Sequence, residues 1–218
     1  MRTMSTSLAR CSPGQRDAFE ALALESMKLF ERHGATHTRL LAPLSAGQAS
    51  DVYALTNEFD DAEQYGAFVD ELYRDAEFQN LMSRITQPDS PVTIISRTIE
   101  VEVPLMRSGP ADHGAIVVAR IGRVEPGRFE ECCDFACDVF EFVEAHGASN
   151  CHLLQLDSAG ARTGELLARW EFDSARSHGK AVDAWGSDSG GQALAARLRS
   201  KDGPVVVTWS GLYRDLHM

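Results

Sequence analysis

The chain has 218 residues, 44% of them apolar and 24% charged, with a formal net charge of −11 and a pI near 5.0. That balance belongs to a globular protein with a core rather than a disordered one, and its negative field repels polyanions, which sets nucleic acid aside as a partner. No stretch has the character of a signal peptide or a membrane span, and the five cysteines, an odd count with no CxxC pair, fit reduced thiols, so a cytoplasmic protein without a membrane partner is expected.

The first predicted strand covers roughly 3–11, and Pro13-Gly14 then turns the chain into a helix. In FEALALESMKLFERHG the apolar residues Phe19, Leu22, Met27, Leu29 and Phe30 form one broad side, and Gly34 can take the left-handed conformation that stops a helix. A hairpin follows, with strands at 37–44 and 51–59 joined by the turn-rich SAGQAS. A second helix is predicted over 61–85, with Asp60 as its cap at capping-box spacing from Glu63, and a last strand over 91–103. The segment MRSGPADHG at 106–114 has no periodicity and reads as a linker.

The same order then returns: a strand over 115–124, Pro126-Gly127, the helix FEECCDFACDVFEFVEAHG, strands at 150–157 and 164–172, a helix over 174–199 and a strand over 204–214. The glycines and serines of 187–192 are expected to break the last helix. His33-Gly34-Ala35 matches His146-Gly147-Ala148 at a shift of 113 residues, and Glu58-Phe59-Asp60 matches Glu171-Phe172-Asp173 at the same shift. Pro13-Gly14 and Pro91-Val92 keep that register without a gap. A repeat of this kind makes the chain a tandem duplication, with units at 1–105 and 114–218 and a linker at 106–113.

Alternation sorts strand residues by face. Tyr53, Leu55, Asn57 and Phe59, with Leu166, Ala168, Trp170 and Phe172, suit packing under the helices. The opposite face carries Val52, Ala54, Thr56 and Glu58, and then Glu165, Leu167, Arg169 and Glu171; in the second strands His37, Arg39 and Leu41 share a side, as do Asn150, His152 and Leu154. His37, His152, Glu58 and Glu171 are therefore the candidates for catalytic proton handling, and Arg39 and Arg169 for orienting an anionic or carbonyl substrate. The competing expectation is that these groups only form ion pairs where the units meet. His33 and His146 suit helix ends and Asp60 and Asp173 suit caps. Cys132, Cys133 and Cys137 fit small buried residues better than a metal site, since no fourth ligand has suitable spacing. The phosphate-loop, zincin and nucleophile-elbow motifs are absent.

Two β-α-β-β-α-β units make an α+β, ferredoxin-like fold, in which helices cover one face of an antiparallel sheet and leave the other bare. The Pro-Gly before each first helix, the HGA helix exit and the EFD-(x)5-G opening of each second helix resemble the dimeric α/β-barrel superfamily, with its antibiotic-biosynthesis monooxygenase-like, NIPSNAP-like and EthD-like members. The resemblance implies that the two antiparallel sheets pack into a barrel within one polypeptide. It also implies either a cofactor-independent monooxygenase, isomerase or cyclase acting on a small molecule in the barrel cavity, or a non-catalytic binding or assembly protein. The fused unit could pair again as a homodimer. Haem-degrading members use an asparagine, a tryptophan and a histidine; this chain offers Trp170 and His178, but its first strands lack asparagine and its first unit has Asn57 and Tyr65 instead. No haem, other cofactor or metal is therefore expected.

Overall fold

The computed structural model describes residues 1–217. In the first half, β1 (Thr3–Cys11) leads through a turn to α1 (Arg16–Arg32), and β2 (His37–Ser45) and β3 (Val52–Phe59) form a hairpin. Two short helices, α2 (Ala62–Leu72) and α3 (Ala76–Ile85), precede β4 (Val92–Glu102). The second half repeats this order as β5 (Ile116–Val124), α4 (Phe129–Ala145), β6 (Ala148–Ser158), β7 (Leu166–Phe172), α5 (Ala175–Ser187), α6 (Ser189–Arg199) and β8 (Val205–Asp215). Gly34 and Gly147 close the long helices at φ 101° and 91°, a conformation that side chains with a Cβ seldom adopt.

All strand pairings are antiparallel. Each half contributes four neighbouring strands, β4-β1-β3-β2 and β8-β5-β7-β6. The halves join at two seams, β2 with β8 and β4 with β6, which close the sheet into a barrel. Helices cover the outside. In the first half Phe19, Leu22, Leu40, Phe59, Phe68 and Phe78 belong to one buried cluster; in the second, Phe135, Phe140, Leu153, Trp170 and Phe172 belong to another. A third and smaller cluster, with Leu41, Ala54, Val117 and Tyr213, lies within the barrel. The alternation of β3 and β7 is as expected: Tyr53, Leu55 and Phe59 pack under helices, while Val52, Ala54 and Thr56 face inward.

Several local expectations need correction. The helix caps are Asp61, whose Oδ1 accepts from Gln64 N at 2.8 Å, and Ser174, whose Oγ accepts from Ser177 N at 3.2 Å; each lies one residue beyond Asp60 and Asp173. The region 61–85 is two helices rather than one. Asp75 caps the second of them while gripping His33 Nε2 at 2.8 Å, so a contact with the end of α1 fixes the break. In β6 the ladder shifts between Ser149 and His152, where Asn150 takes φ 48°.

Residues 103–115 contain no helix or strand, yet the end of this connection is held in place. Gly114 N donates to Glu171 Oε2 at 2.7 Å, and Gly114 O accepts from Arg39 Nη2 at 2.7 Å. A Cβ at Gly114 would stand 2.5 Å from the carbonyl oxygen of Phe172, so only glycine lets the chain cross so close to β7.

Candidate functional site

One end of the barrel is closed by charge. Arg39 reaches from β2, Glu58 from β3, and Arg169 and Glu171 from β7, all of them buried. Glu171 accepts from Arg39 Nη1 and Arg169 Nη2, both at 2.6 Å, and from Asn150 Nδ2 at 2.9 Å. Arg39 Nε donates to Asp215 at 2.6 Å, which ties β2 to the end of β8. Burial alone would raise the Glu171 pKa, but Arg169, His113 and Arg39 outweigh it and hold the carboxyl well below the usual carboxylate range. Burial likewise opposes the Arg39 charge, and Glu171 and Asp215 reverse that effect. Glu58 lies 3.4 Å from Arg2 and 3.7 Å from Arg169.

Beyond this charged end the barrel holds a cavity of about 280 Å³ with a mainly apolar wall, including Met4, Leu41, Val117, Leu156 and Trp209. It is larger than the roughly 150 Å³ apolar cavity that accommodates benzene. Glu100 of β4 is its one carboxyl among the lining residues, and only 1% of this residue is exposed. Thr6 Oγ1 donates to Glu100 Oε2 at 3.2 Å, and Thr98 Oγ1 donates to Oε1. Burial pushes the Glu100 pKa up to about 7, against those hydrogen bonds and the charges of Arg169 and Arg162. The lining also includes three buried polar atoms without a hydrogen-bond partner among the described residues: Thr56 Oγ1, Arg162 Nη2 and Arg169 Nε. Tyr213 of β8, also in the lining, has its phenol pushed up to about 12 by burial.

The six residues singled out in the sequence fall in different places. Arg169 lines the cavity. Arg39, Glu58 and Glu171 belong to the charged end. His152 sits under the connection between the halves, with Nδ1 2.7 Å from Glu102 and Nε2 2.9 Å from Arg2. His37 is exposed at the start of β2, its ring 4.7 Å from that of His113. Glu100 was missed. Its signal was the alternation Thr98-Glu100-Glu102 in β4, which sets carboxylates on the face opposite Ile99 and Val101.

The cysteines do not gather. Among the described residues no group of His, Cys, Asp or Glu is arranged to hold a metal ion. Burial pushes the Cys132 thiol up to about 11 and Cys151 higher still, which makes them poor nucleophiles.

No family profile matches the chain, and no curated protein matches it. Solved structures do resemble it. An anthrone oxidase-like protein is 15% identical, with a TM-score of 0.61 over 99% of this chain and 92% of that one. A candidate monooxygenase of Fusobacterium nucleatum is 8% identical, with a TM-score of 0.60 over 98% and 91%. A heme-binding protein of Thermus thermophilus is 11% identical, with a TM-score of 0.54 over 99% and 91%.

Trp170 and His178 do not form a haem site. Trp170 is buried edge-on against Phe140, Arg120 lies over its ring at 5.1 Å, and the cavity there is only about 60 Å³. His178 packs against Phe172 instead, the two rings 5.5 Å apart. The eight-stranded closure, the helices on its outside and these neighbours agree: the chain has the dimeric α/β-barrel, ferredoxin-like fold, with both halves of the barrel in one polypeptide.

Proposed function

We propose that the barrel interior binds a small, largely apolar carbonyl or phenolic molecule, and that Glu100 moves a proton to or from it. The observation that carries this reading is a lone carboxyl, titrating at about 7, in a mainly apolar cavity of about 280 Å³. A carboxylate in that range is a better base than a solvated glutamate and is still substantially ionised at neutral pH. It can take a proton from a phenol, or from a carbon flanked by a carbonyl and an aromatic ring. Arg169, in the same lining, sets a positive charge near the oxygen on which negative charge develops. Such an anion meets dioxygen in an oxygenase, or is reprotonated elsewhere in an isomerase or cyclase. The words monooxygenase and anthrone oxidase-like, which belong to the neighbours, lend support to the first of these. In this reading Glu58, Glu171 and Arg39 shape the charged end of the cavity, and His37 and His152 stand outside the chemistry.

The ion network between the halves favours a second reading, a protein without turnover whose polar strand faces serve assembly. One experiment separates the two. Oxidation of anthrone by dioxygen to anthraquinone and water is followed spectroscopically with and without protein. Acceleration by the wild type that falls about a hundredfold or more in Glu100→Gln is expected for a general base. No acceleration by the wild type would favour the second reading, and an acceleration indifferent to Glu100→Gln would remove Glu100 as the base.

A further inference from the structure

The cavity inside the barrel has a cation at one mouth where the repeat would allow two. Arg162 and Ala49 occupy equivalent positions, and both line the cavity. Each belongs to a single helical turn between the middle strands of its half, Gly47–Ala49 before β3 and Gly160–Arg162 before β7. Glu58 and Glu171 stand near the far ends of β3 and β7, so Arg162 lies at the end of the barrel away from the charged network. The ladder of β4 and β6 stops there, at Ile99 and Ser158. Thr98 of β4 and Arg162 lie just beyond that point on their two chains, and both line the cavity.

The turn is firmly held. Arg162 N donates to Ala159 O at 3.2 Å, Glu165 N donates to Arg162 O at 3.0 Å, and Gly164 N donates to Leu156 O at 2.8 Å. One side of the guanidinium is engaged, with Nε donating to Glu165 Oε2 at 3.1 Å. That carboxylate also accepts from Arg123 Nη2 at 3.1 Å, so two cations share one anion and a positive charge is left over. On the other side, Arg162 Nη2 is buried without a hydrogen-bond partner among the described residues. A buried donor in that state is costly until an acceptor arrives. Glu100, the carboxyl of this lining, has its oxygens on the hydroxyls of Thr6 and Thr98 instead.

We propose that the molecule bound in the barrel is a ring compound bearing a carboxylate, and that Arg162 binds this acid group through its Nη2. The ring lies against the apolar wall, and the turn before β7 fixes which end of the ligand faces the mouth. This pairing rests on the barrel interior being the binding site. Ala49 gives the other mouth no such anchor, so the ligand enters in one sense only.

Calorimetric titration at pH 6, where Glu100 is mostly protonated, compares 2-naphthoate with 2-naphthamide, its uncharged isostere. Saturable binding of one equivalent of each is expected, with the acid about tenfold tighter. Arg162→Gln leaves Glu165 paired with Arg123; it removes the preference for the acid and changes the affinity for the amide by less than about threefold. Arg162→Lys keeps part of the preference. Excess amide displaces the acid, and Ala119→Phe, which narrows the cavity, weakens both ligands. Amide binding without a preference for the acid would overturn the role of Arg162 and leave the barrel reading standing, whereas binding of neither would overturn both. A preference that survives Arg162→Gln, or acid binding that survives Ala119→Phe, would place the carboxylate elsewhere and overturn the proposal too.

Discussion

Asn57 and Trp170 occupy the same place in the two halves, and their surroundings differ accordingly. Around Asn57 the space between helices and sheet is about 260 Å³; around Trp170, where a guanidinium stacks on two indoles, it is about 60 Å³. The inward faces differ as well. Glu100 corresponds to Tyr213, Thr56 to Arg169 and Thr6 to Ala119, so the carboxyl, its hydroxyl donors and the Arg169 guanidinium come from unlike positions of like frames. Two identical chains could not build this interior. They would set a second glutamate where Tyr213 now stands, and two buried carboxyls would raise each other's pKa further.

The largest effect expected from breaking this asymmetry lies at the charged end. Glu171→Ala leaves Arg39 and Arg169 buried without their shared acceptor and should cost about 3–5 kcal/mol in denaturant unfolding. Glu58→Ala, at the equivalent place, removes only contacts of 3.4 and 3.7 Å and should cost clearly less. Equal losses would mean that the two halves share the network evenly.

A somewhat smaller effect concerns pH. Unfolded, Glu100 releases its proton near its ordinary value of 4.5; folded, it does so only at about 7. Between those values the folded state binds more protons, so this residue lowers stability as pH rises through the window, by roughly 3 kcal/mol in total. Glu100→Gln should therefore match the wild type near pH 4 and exceed it at pH 8, measured as the difference between two unfolding midpoints. A constant difference across that range would contradict an elevated Glu100.

The smallest effect is expected at the counterpart of Glu100. A phenol at about 12 keeps its proton at neutral pH, so Tyr213→Phe should change the anthrone rate by less than roughly tenfold. A hundredfold loss would make Tyr213 a partner in the proton transfer.

Much of the frame could be read from the residues. The paired His-Gly stops, the Pro-Gly turns and the alternation of β3 and β7 are local signals, and the folded chain keeps them. What escaped notice depends on contacts distant in sequence. Asp75 ends α2 and starts α3 because His33 meets it from another helix. The polar stretch before β5 resembled a free linker, although Gly114 is bonded to both Arg39 and Glu171. Glu100 was hidden because β1 and β4 carry hydroxyls on both faces, so neither strand shows which side is inward. Alternation puts Arg39, Glu58 and Glu171 on one face, but it cannot distinguish a group facing empty space from one gripped by its neighbours.

Because β2 bonds to β8 and β4 to β6, every strand in the ring has a neighbour on each flank. The two seams are short, however, Leu41–Ser45 of β2 on β8 and Ile99–Glu102 of β4 on β6, so residues 92–98 of β4 and 205–211 of β8 each keep one flank without a strand partner. Two copies of the chain, should they associate, have these two open edges to pair through, with Ile95, Val206 and Val207 exposed along them.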